Sequence, residues 1–305
     1  MNLSIKNLFF KHTDVKTFFI TRLSENRVEE KVFLKKDDLL IDITGTHSMI
    51  CLDPFCVAVW LPKDKMNGFD KKKARVQFKK NTQTTAELNI GLIEAIPTDN
   101  GALLLYKIES VINHQLNILH RLALFAWLLR SKKNTYESRK VISALYSYPR
   151  KIIIVSYSDE HYYNIFPMDI QGYIAEEDMY ILGLRTTNIT LNKILEAKKV
   201  VISDTDAIDI NTIYNLGKHS STSPTKMEEM PFAVNRSELF GFPVPGFAGS
   251  YKEVEIIDHR KMGYHMLLVG KVVNLKVLRK DSTSLYHVGF LQFQESNYQS
   301  IDGLY

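Results

Sequence analysis

The stretch from Pro149 to Lys199 constrains the fold most, because strand-like runs alternate with turn residues and end in a polar loop. The run Ile152–Val155 is β-branched and too short for an ordinary helix, so it indicates a strand. We predict three strands, over Lys151–Tyr157, Ile165–Ala175 and Met179–Leu184, and then a helix that begins near Thr190.

The polar loop Arg185–Asn188 lies between the last of these strands and the helix, an arrangement that suits an anion. Unpaired backbone N–H groups and the positive end of the helix dipole point toward such a loop. Arg185 adds a fork of hydrogen-bond donors, and hydroxyl groups come from Thr186, Thr187 and Thr190. Asn188 completes the loop. The pattern predicts a phosphate-binding site.

The order of motifs in this stretch resembles a known family. A Pro-Arg start leads into an apolar strand, then an Asn-x-x-Pro segment (Asn164 to Pro167), a further strand and the Arg/Thr-rich loop. A second block, Met262–Val273, places Gly263 and His265 in a Gly-x-His pattern that opens an apolar strand. Over about residues 148–295 the chain resembles the flavin-reductase-like FMN-binding split barrels.

This resemblance implies a mainly β fold, a β-barrel with peripheral helices, and a flavin site. The implied ligand is FMN, with FAD as the alternative, and NAD(P)H is the implied electron donor. The cofactor-binding residues that it implies are Asn164, Pro167, Met168, Asp169, Ile170, Arg185, Thr186, Thr187, Asn188 and Thr190.

Two of the implied positions need separate treatment. His265 would lie near the nicotinamide pocket and help to hold the hydride donor, so it is the candidate catalytic residue; a structural histidine is the alternative. Asp169 stands where the family often has a small Ser or Thr. A carboxylate beside the flavin would disfavour further negative charge, so either its side chain turns away or the redox properties differ.

The first part of the chain also has a β pattern. Seven short apolar segments are separated by turn residues: Lys31–Leu34, Leu39–Ile43, Ser48–Leu52, Cys56–Leu61, Ala74–Phe78, Ala86–Ile93 and Ala102–Ile108. Such spacing is typical of a barrel or sandwich. We predict a second small β domain over residues 1–108, with a diverged copy of the split barrel as one possibility for its fold.

The remaining boundaries follow from apolar spacing. Glu109–Arg130 and Tyr136–Tyr146 are predicted to be helices and form a connector over residues 109–147, ahead of the barrel at 148–295 and a tail at 296–305. A further helix is predicted over Asp206–Leu216, with Asp204 or Thr205 as its cap.

Charge and composition argue against several classes of protein. Lys and Arg outnumber Asp and Glu by 24 to 15 over residues 1–150, whereas 15 oppose 19 over residues 151–305. A nucleic-acid surface around Lys71–Lys73 is less favoured than a solvated loop, because no aromatic platform accompanies it. Cys51 and Cys56 are expected to be buried thiols, with no metal site. The absence of a signal segment or a long apolar run leads us to expect a cytoplasmic protein without a membrane contact.

The family resemblance implies an FMN-dependent oxidoreductase in which NAD(P)H reduces the flavin, which then passes electrons to a further acceptor. The alternative is a flavin-binding or partner-binding protein without turnover. The family resemblance implies a homodimer with flavin at the barrel–barrel interface, whereas a second barrel within the chain would imply an internal pair instead.

Overall fold

The computed structural model describes residues 18–66, 69, 73–115, 118, 122, 136–218, 226–289 and 298. Within these ranges the chain forms two seven-stranded antiparallel sheets, two smaller sheets and three α-helices. The predicted mainly β fold with peripheral helices is therefore confirmed.

The first strand, β1, covers Phe18–Leu23 and precedes the N-terminal sheet. The N-terminal sheet has the spatial order β3-β2-β6-β7-β8-β5-β4. Its strands are β2 (Glu30–Lys36), β3 (Leu39–Asp42), β4 (His47–Leu52), β5 (Phe55–Pro62), β6 (Lys73–Lys80), β7 (Gln83–Pro97) and β8 (Gly101–Asn113). All seven strands predicted for this part of the chain are present, and β7 and β8 are longer than predicted.

The helix predicted over Glu109–Arg130 is wrong for its first residues. Glu109–Asn113 belongs to β8, which keeps its antiparallel pairing with β7 as far as Asn113 and Ala86. Positions 118 and 122 are helical, and the other residues of that prediction beyond Gln115 lie outside the described ones. The second predicted helix is α1, Tyr136–Leu145.

The C-terminal sheet has the spatial order β11-β10-β14-β17-β18-β13-β12. Its strands are β10 (Ile153–Ser158), β11 (Tyr163–Met168), β12 (Gln171–Ile174), β13 (Met179–Arg185), β14 (Lys199–Ser203), β17 (Ser250–Lys261) and β18 (His265–Val277). The single strand predicted over Ile165–Ala175 is two strands, because β11 pairs with β10 whereas β12 pairs with β13 at the opposite edge.

The remaining elements border this second sheet. Two short antiparallel sheets form from β9 (Arg150–Lys151), β15 (Val234–Arg236), β16 (Pro243–Pro245) and β19 (Ser284–Gly289), with β19 between β1 and β9. The helices are α2 (Thr190–Ala197) and α3 (Ile210–Lys218). The predicted start of α3 is wrong: Asp209 accepts a bond from the Thr212 N–H at 3.0 Å, whereas Asp204 accepts one from the Gly249 N–H at 2.6 Å.

The two large sheets share one topology. If the seven strands of each are numbered in chain order, both sheets run second-first-fifth-sixth-seventh-fourth-third. The N-terminal half is therefore a structural repeat of the C-terminal half.

The residue pairing agrees as closely as the strand order. Each pair in the β7–β8 hairpin has a counterpart 164 positions later in β17–β18, for example Leu92 with Tyr106 and Ile256 with Gly270. Both hairpins also carry bulges at equivalent positions, which leave Ile93 and Ile257 without a partner. Because bulges persist within families as positioned features, their coincidence supports a duplicated unit.

The halves pack through equivalent strands. The third, fourth and seventh strands of each sheet bury one shared apolar cluster: Ile50, Cys51, Cys56, Ala58, Trp60, Leu103 and Leu105 from the first half, and Ile174, Met179, Ile181, Leu267 and Val269 from the second, with Met262 beside them. An interface built from the same surface on both partners is the pattern of a twofold-related pair.

The turns between these strands dock in the same reciprocal way. Asp53, between β4 and β5, accepts a backbone bond from Tyr264 at 2.8 Å. Glu177, between β12 and β13, accepts bonds from the Thr98 hydroxyl at 2.7 Å and the Asn100 N–H at 2.8 Å. In each half, the turn between the third and fourth strands thus contacts the turn between the sixth and seventh strands of the other half.

In the described part of the chain no helix is long and apolar enough to cross a membrane. The same residues contain no group of three His, Cys, Asp or Glu side chains that could hold a metal ion. Cys51 and Cys56 are buried free thiols.

Candidate functional site

A cleft of about 490 Å³ opens in the C-terminal half between the ends of β11 and β13. The C-terminal end of α3 forms one wall through Leu216 and Gly217, and His265 at the start of β18 forms another. This volume is in the range of pockets that enclose a small-molecule ligand.

Most of the residues singled out from the sequence meet at this cleft. Nine of the eleven line it: Asn164, Pro167, Met168, Asp169, Ile170, Arg185, Thr187, Asn188 and His265. Thr186 and Thr190 do not. The hydroxyl of Thr186 donates to the carbonyl of Tyr264 at 3.2 Å.

Thr190 is fully buried and ties β11 to the start of α2. Its hydroxyl oxygen lies 2.9 Å from the Asn164 side-chain nitrogen, which donates to it, and 2.7 Å from the Tyr162 hydroxyl. With both contacts made inside the protein, Thr190 supports the wall of the cleft.

The loop at the helix start keeps a polar face toward the cleft. Asn188 accepts a bond from the Thr190 N–H at 2.9 Å and so satisfies one of the free donors of α2. Arg185 and Thr187 are exposed, and the Arg185 guanidinium lies 5.9 Å from the centre of the Tyr264 ring. A cationic fork and a hydroxyl group are thus available to an anion at this end of the cleft.

Asp169 is committed to partners within the protein. Its carboxylate accepts bonds from the Tyr146 hydroxyl at 2.6 Å and from His287 Nδ1 at 2.8 Å, neither of which lines the cleft. Burial alone would raise the pKa of Asp169, but the bonds from His287 and Tyr146 outweigh it and the pKa is lowered. Of the two alternatives drawn from the sequence, this geometry favours a side chain engaged away from the ligand.

His265 is completely buried and has one nitrogen without a partner. The Leu52 N–H lies 3.5 Å from Nδ1, and Cys51 Sγ lies 3.6 Å from the same atom. Because Nδ1 faces a backbone N–H, it acts as the acceptor, and the neutral ring carries its proton on Nε2. Among the described residues no group bonds to Nε2.

Burial, together with the nearby positive charge of Arg185, lowers the pKa of His265 to about 4. The ring is therefore neutral at pH 7. It carries an N–H group that has no partner among the described residues, and it does not act as a cation.

Sequence reasoning missed the α3 wall and the close approach of the N-terminal half. A side chain at Gly217 would meet Pro167 at 3.4 Å, and one at Gly183 would lie 2.4 Å from the Ile50 carbonyl oxygen. A glycine at the end of an apolar strand signals such an approach, but does not identify the partner.

A second cleft, of about 580 Å³, lies in the N-terminal half and is lined by Lys35, Lys36, Lys73 and Arg75 among others. Two of these cations have acidic neighbours, Lys73 with Glu109 at 3.7 Å and Arg75 with Glu87 at 4.0 Å. It lies at the edge of β2 and β6, apart from the predicted cofactor-binding residues and His265.

No family model matches the chain, and no curated protein matches it in sequence. Several solved structures are similar to it over about half its length. An FMN-binding protein from Thermus thermophilus is 18% identical, with 50% of this chain and 86% of that chain covered and a TM-score of 0.41. The NADH:FAD oxidoreductase of Streptomyces globisporus C-1027 is 11% identical, with coverages of 57% and 96% and a TM-score of 0.45. A flavin reductase in complex with NADP+ is 16% identical, with coverages of 53% and 96% and a TM-score of 0.42.

Proposed function

We propose that the chain binds FMN in the C-terminal cleft, with FAD as the alternative, and acts as a flavin-reductase-type oxidoreductase that takes electrons from NAD(P)H. The observation that carries this proposal is the composition of the cleft. An apolar wall and a cationic end meet in a space of ligand size, and one of the lining residues, His265, has a buried N–H donor without a partner among the described residues.

The residues fit a flavin nucleotide. A buried donor without an acceptor costs about 1–3 kcal/mol, so a bound group with a carbonyl oxygen or ring nitrogen near His265 Nε2 would be stabilised. The apolar side chains of Pro167, Met168 and Ile170 suit a flat ring, and the exposed Arg185 suits its phosphate. The Asp169 carboxylate is held by hydrogen bonds from Tyr146 and His287 and is therefore not available as a further ligand-binding group.

When bound, FMN would accept a hydride from the nicotinamide. This transfer needs no acid or base from the protein. The contribution of the chain is positioning. Arg185 and Thr187 would hold the phosphate, the apolar residues at the β11 end would pack against the ring, and His265 Nε2 would donate to an acceptor atom of the nucleotide.

One observation favours a second candidate, a flavin-binding protein without turnover. Cys51 and Leu52 of the N-terminal half lie against His265, which is 0% exposed. If these residues occupy the space that the nicotinamide needs, flavin would bind but would not be reduced.

Anaerobic mixing of the protein with FMN and then NADH or NADPH separates these functions. Bleaching of the flavin absorbance band at a rate that depends on protein concentration supports the reductase. A shifted flavin spectrum that stays oxidised supports binding without turnover, and an unchanged spectrum contradicts both.

A further inference from the structure

Because the two halves are repeats, the cleft of the C-terminal half has an equivalent place in the N-terminal half. The β5–β8 and β13–β18 ladders have the same pairing, so Pro62 with Gly101 corresponds to Arg185 with His265. Two residues earlier on the fourth strand, Trp60 corresponds to Gly183. The residue types that form the C-terminal cleft are therefore absent at these positions.

The residues at these equivalent positions are also closely packed. The Trp60 side chain is 3% exposed and donates from its indole nitrogen to the Thr98 hydroxyl at 3.0 Å. A side chain at Gly101 would lie 2.1 Å from the Leu61 carbonyl oxygen, so no side chain fits where His265 stands in the other half.

The connection after the fourth strand differs as well. In the C-terminal half the chain runs from Arg185 into α2, whereas after Pro62 the described residues form one 3₁₀ turn, Lys63–Lys65. A turn of this length has no helix dipole to favour a phosphate. Proline at position 62 also removes both the guanidinium and a backbone donor.

The contact between the halves has the character of a twofold axis. Ser48 pairs with Ala58 and Gly172 pairs with Ile181, which makes Ser48 and Gly172 equivalent in the two sheets. These equivalent residues face each other, since a Cβ at Gly172 would lie 2.9 Å from the Ser48 Cβ. Self-facing positions occur only where an axis passes.

The first half also packs against two of the residues that line the C-terminal cleft. The Ile50 carbonyl oxygen lies against Gly183, and the Leu52 N–H faces His265 Nδ1. Ile50 is the unpaired residue of a bulge in β4 that β12 does not share. Bulges often re-aim backbone groups beside functional sites.

We propose that the N-terminal half is a built-in partner subunit, which has no ligand cleft at the equivalent place and supports the cleft of the C-terminal half by packing against Gly183 and His265. The chain is accordingly a monomer with one ligand site. The nature of the ligand rests on the proposed function, whereas the monomeric state does not.

The test combines sedimentation velocity of the full chain over a hundredfold range of concentration with equilibrium dialysis against FMN. We expect a single species at the chain mass of 35.2 kDa and one FMN per chain at saturation. Two FMN per chain would overturn the inference, because the N-terminal half would then bind a ligand of its own. A homodimer would overturn it too, since the partner position would not be filled from within the chain. A monomer that binds no FMN would contradict the proposed function and still support the built-in partner.

Discussion

At the scale of single residues, Arg185 is the strongest candidate for recognition of a phosphate. A charge-assisted hydrogen bond contributes about 1.5–3 kcal/mol, so Arg185→Ala should weaken FMN binding by roughly 10- to 150-fold. Riboflavin lacks the phosphate, and its affinity should be nearly unchanged. Fluorescence titration of both flavins against both proteins measures the difference.

The matched control is Lys193→Ala. This cation also lies near the start of α2, but it pairs with Asp159 at 2.8 Å and does not line the cleft. Its removal should leave both affinities unchanged. Equal losses of FMN and riboflavin in Arg185→Ala would show that Arg185 supports the ring pocket instead.

His265 gives the protein a pH dependence of known sign. Its pKa falls from 6.5 to about 4 on folding, so below pH 6.5 the unfolded chain binds a proton that the native protein excludes. The contribution of His265 to the free energy of unfolding is therefore lost as the pH falls from about 6.5 to about 4. The loss reaches about 3 kcal/mol at pH 4. Urea unfolding at several pH values should show a smaller loss in His265→Gln than in wild type.

The exposed His161 supplies the control, because His161→Gln should keep the pH dependence of wild type. If His265→Gln also keeps the pH dependence of wild type, the pKa of His265 in the native protein is close to its ordinary value. The ring would then be more hydrated than its geometry indicates.

The sequence located most of the candidate site because its residues lie in two short segments whose order is recognisable. The partners of His265 could not be predicted, since Leu52 and Cys51 are more than 200 positions away. Thr190 was expected to face a phosphate. Its burial depends on Asn164 and Tyr162, which reach it only after the sheet has formed.

At the scale of elements, Thr190 joins β11 to α2, so its loss should affect stability first. Thr190→Val keeps the shape and leaves the buried Asn164 amide without its acceptor, which costs about 1–3 kcal/mol of unfolding free energy. Thr187→Val removes a hydroxyl from an exposed position and should change stability by no more than about 0.5 kcal/mol. A comparison of urea midpoints tests this; equal stability of the two variants would place the Thr190 hydroxyl outside the core.

The turn between β17 and β18 should be sensitive because it receives the N-terminal half. Gly263 has a φ of +101°, and a Cβ there would lie 2.4 Å from the Asp53 carbonyl oxygen. Gly241 also has a positive φ, of +68°, but no atom lies within 4 Å of an added Cβ. Both Ala variants carry a backbone cost of about 1 kcal/mol, and Gly263→Ala should lose about 1–3 kcal/mol more. Equal thermal midpoints would contradict a tight contact between the halves.

The strands were largely predictable because short β-branched runs between turn residues have few other interpretations. Two of the errors, those that concern strands, have a common physical cause. Glu109–Asn113 could be helix or strand by spacing, and its long-range pairing with β7 decides the outcome. Ile165–Ala175 reads as one run, yet the chain leaves one edge of the sheet at Asp169 and joins the other.

At the scale of the whole molecule, the C-terminal half is not expected to be independent. A chain that begins at Tyr146 would uncover the apolar side chains of Ile174, Met179 and Ile181 on one face. An exposed patch of this kind promotes aggregation. We expect the fragment to elute as aggregate in gel filtration and to bind no FMN, whereas a soluble fragment with normal FMN affinity would show that the first half is dispensable.

The repeat could not be deduced from residue types alone. The equivalent pairs Trp60 and Gly183, Pro62 and Arg185, and Gly101 and His265 have no side chain in common. What the halves share is backbone register and bulge position, which become visible only when the partners of each strand are known.

The pair Ser48 and Gly172 shows a difference that is possible only when both halves lie in one chain. In an assembly of two identical polypeptides, a residue on the axis meets its own copy, and one codon must serve both sides. Two serines would not fit here, because a Cβ at Gly172 would come within 2.9 Å of the Ser48 Cβ. When one gene encodes both halves, a mutation can change the residue on one side of the interface between them and leave the other side unchanged. The interface can thus become asymmetric and remain closely packed, and the two halves can acquire different roles.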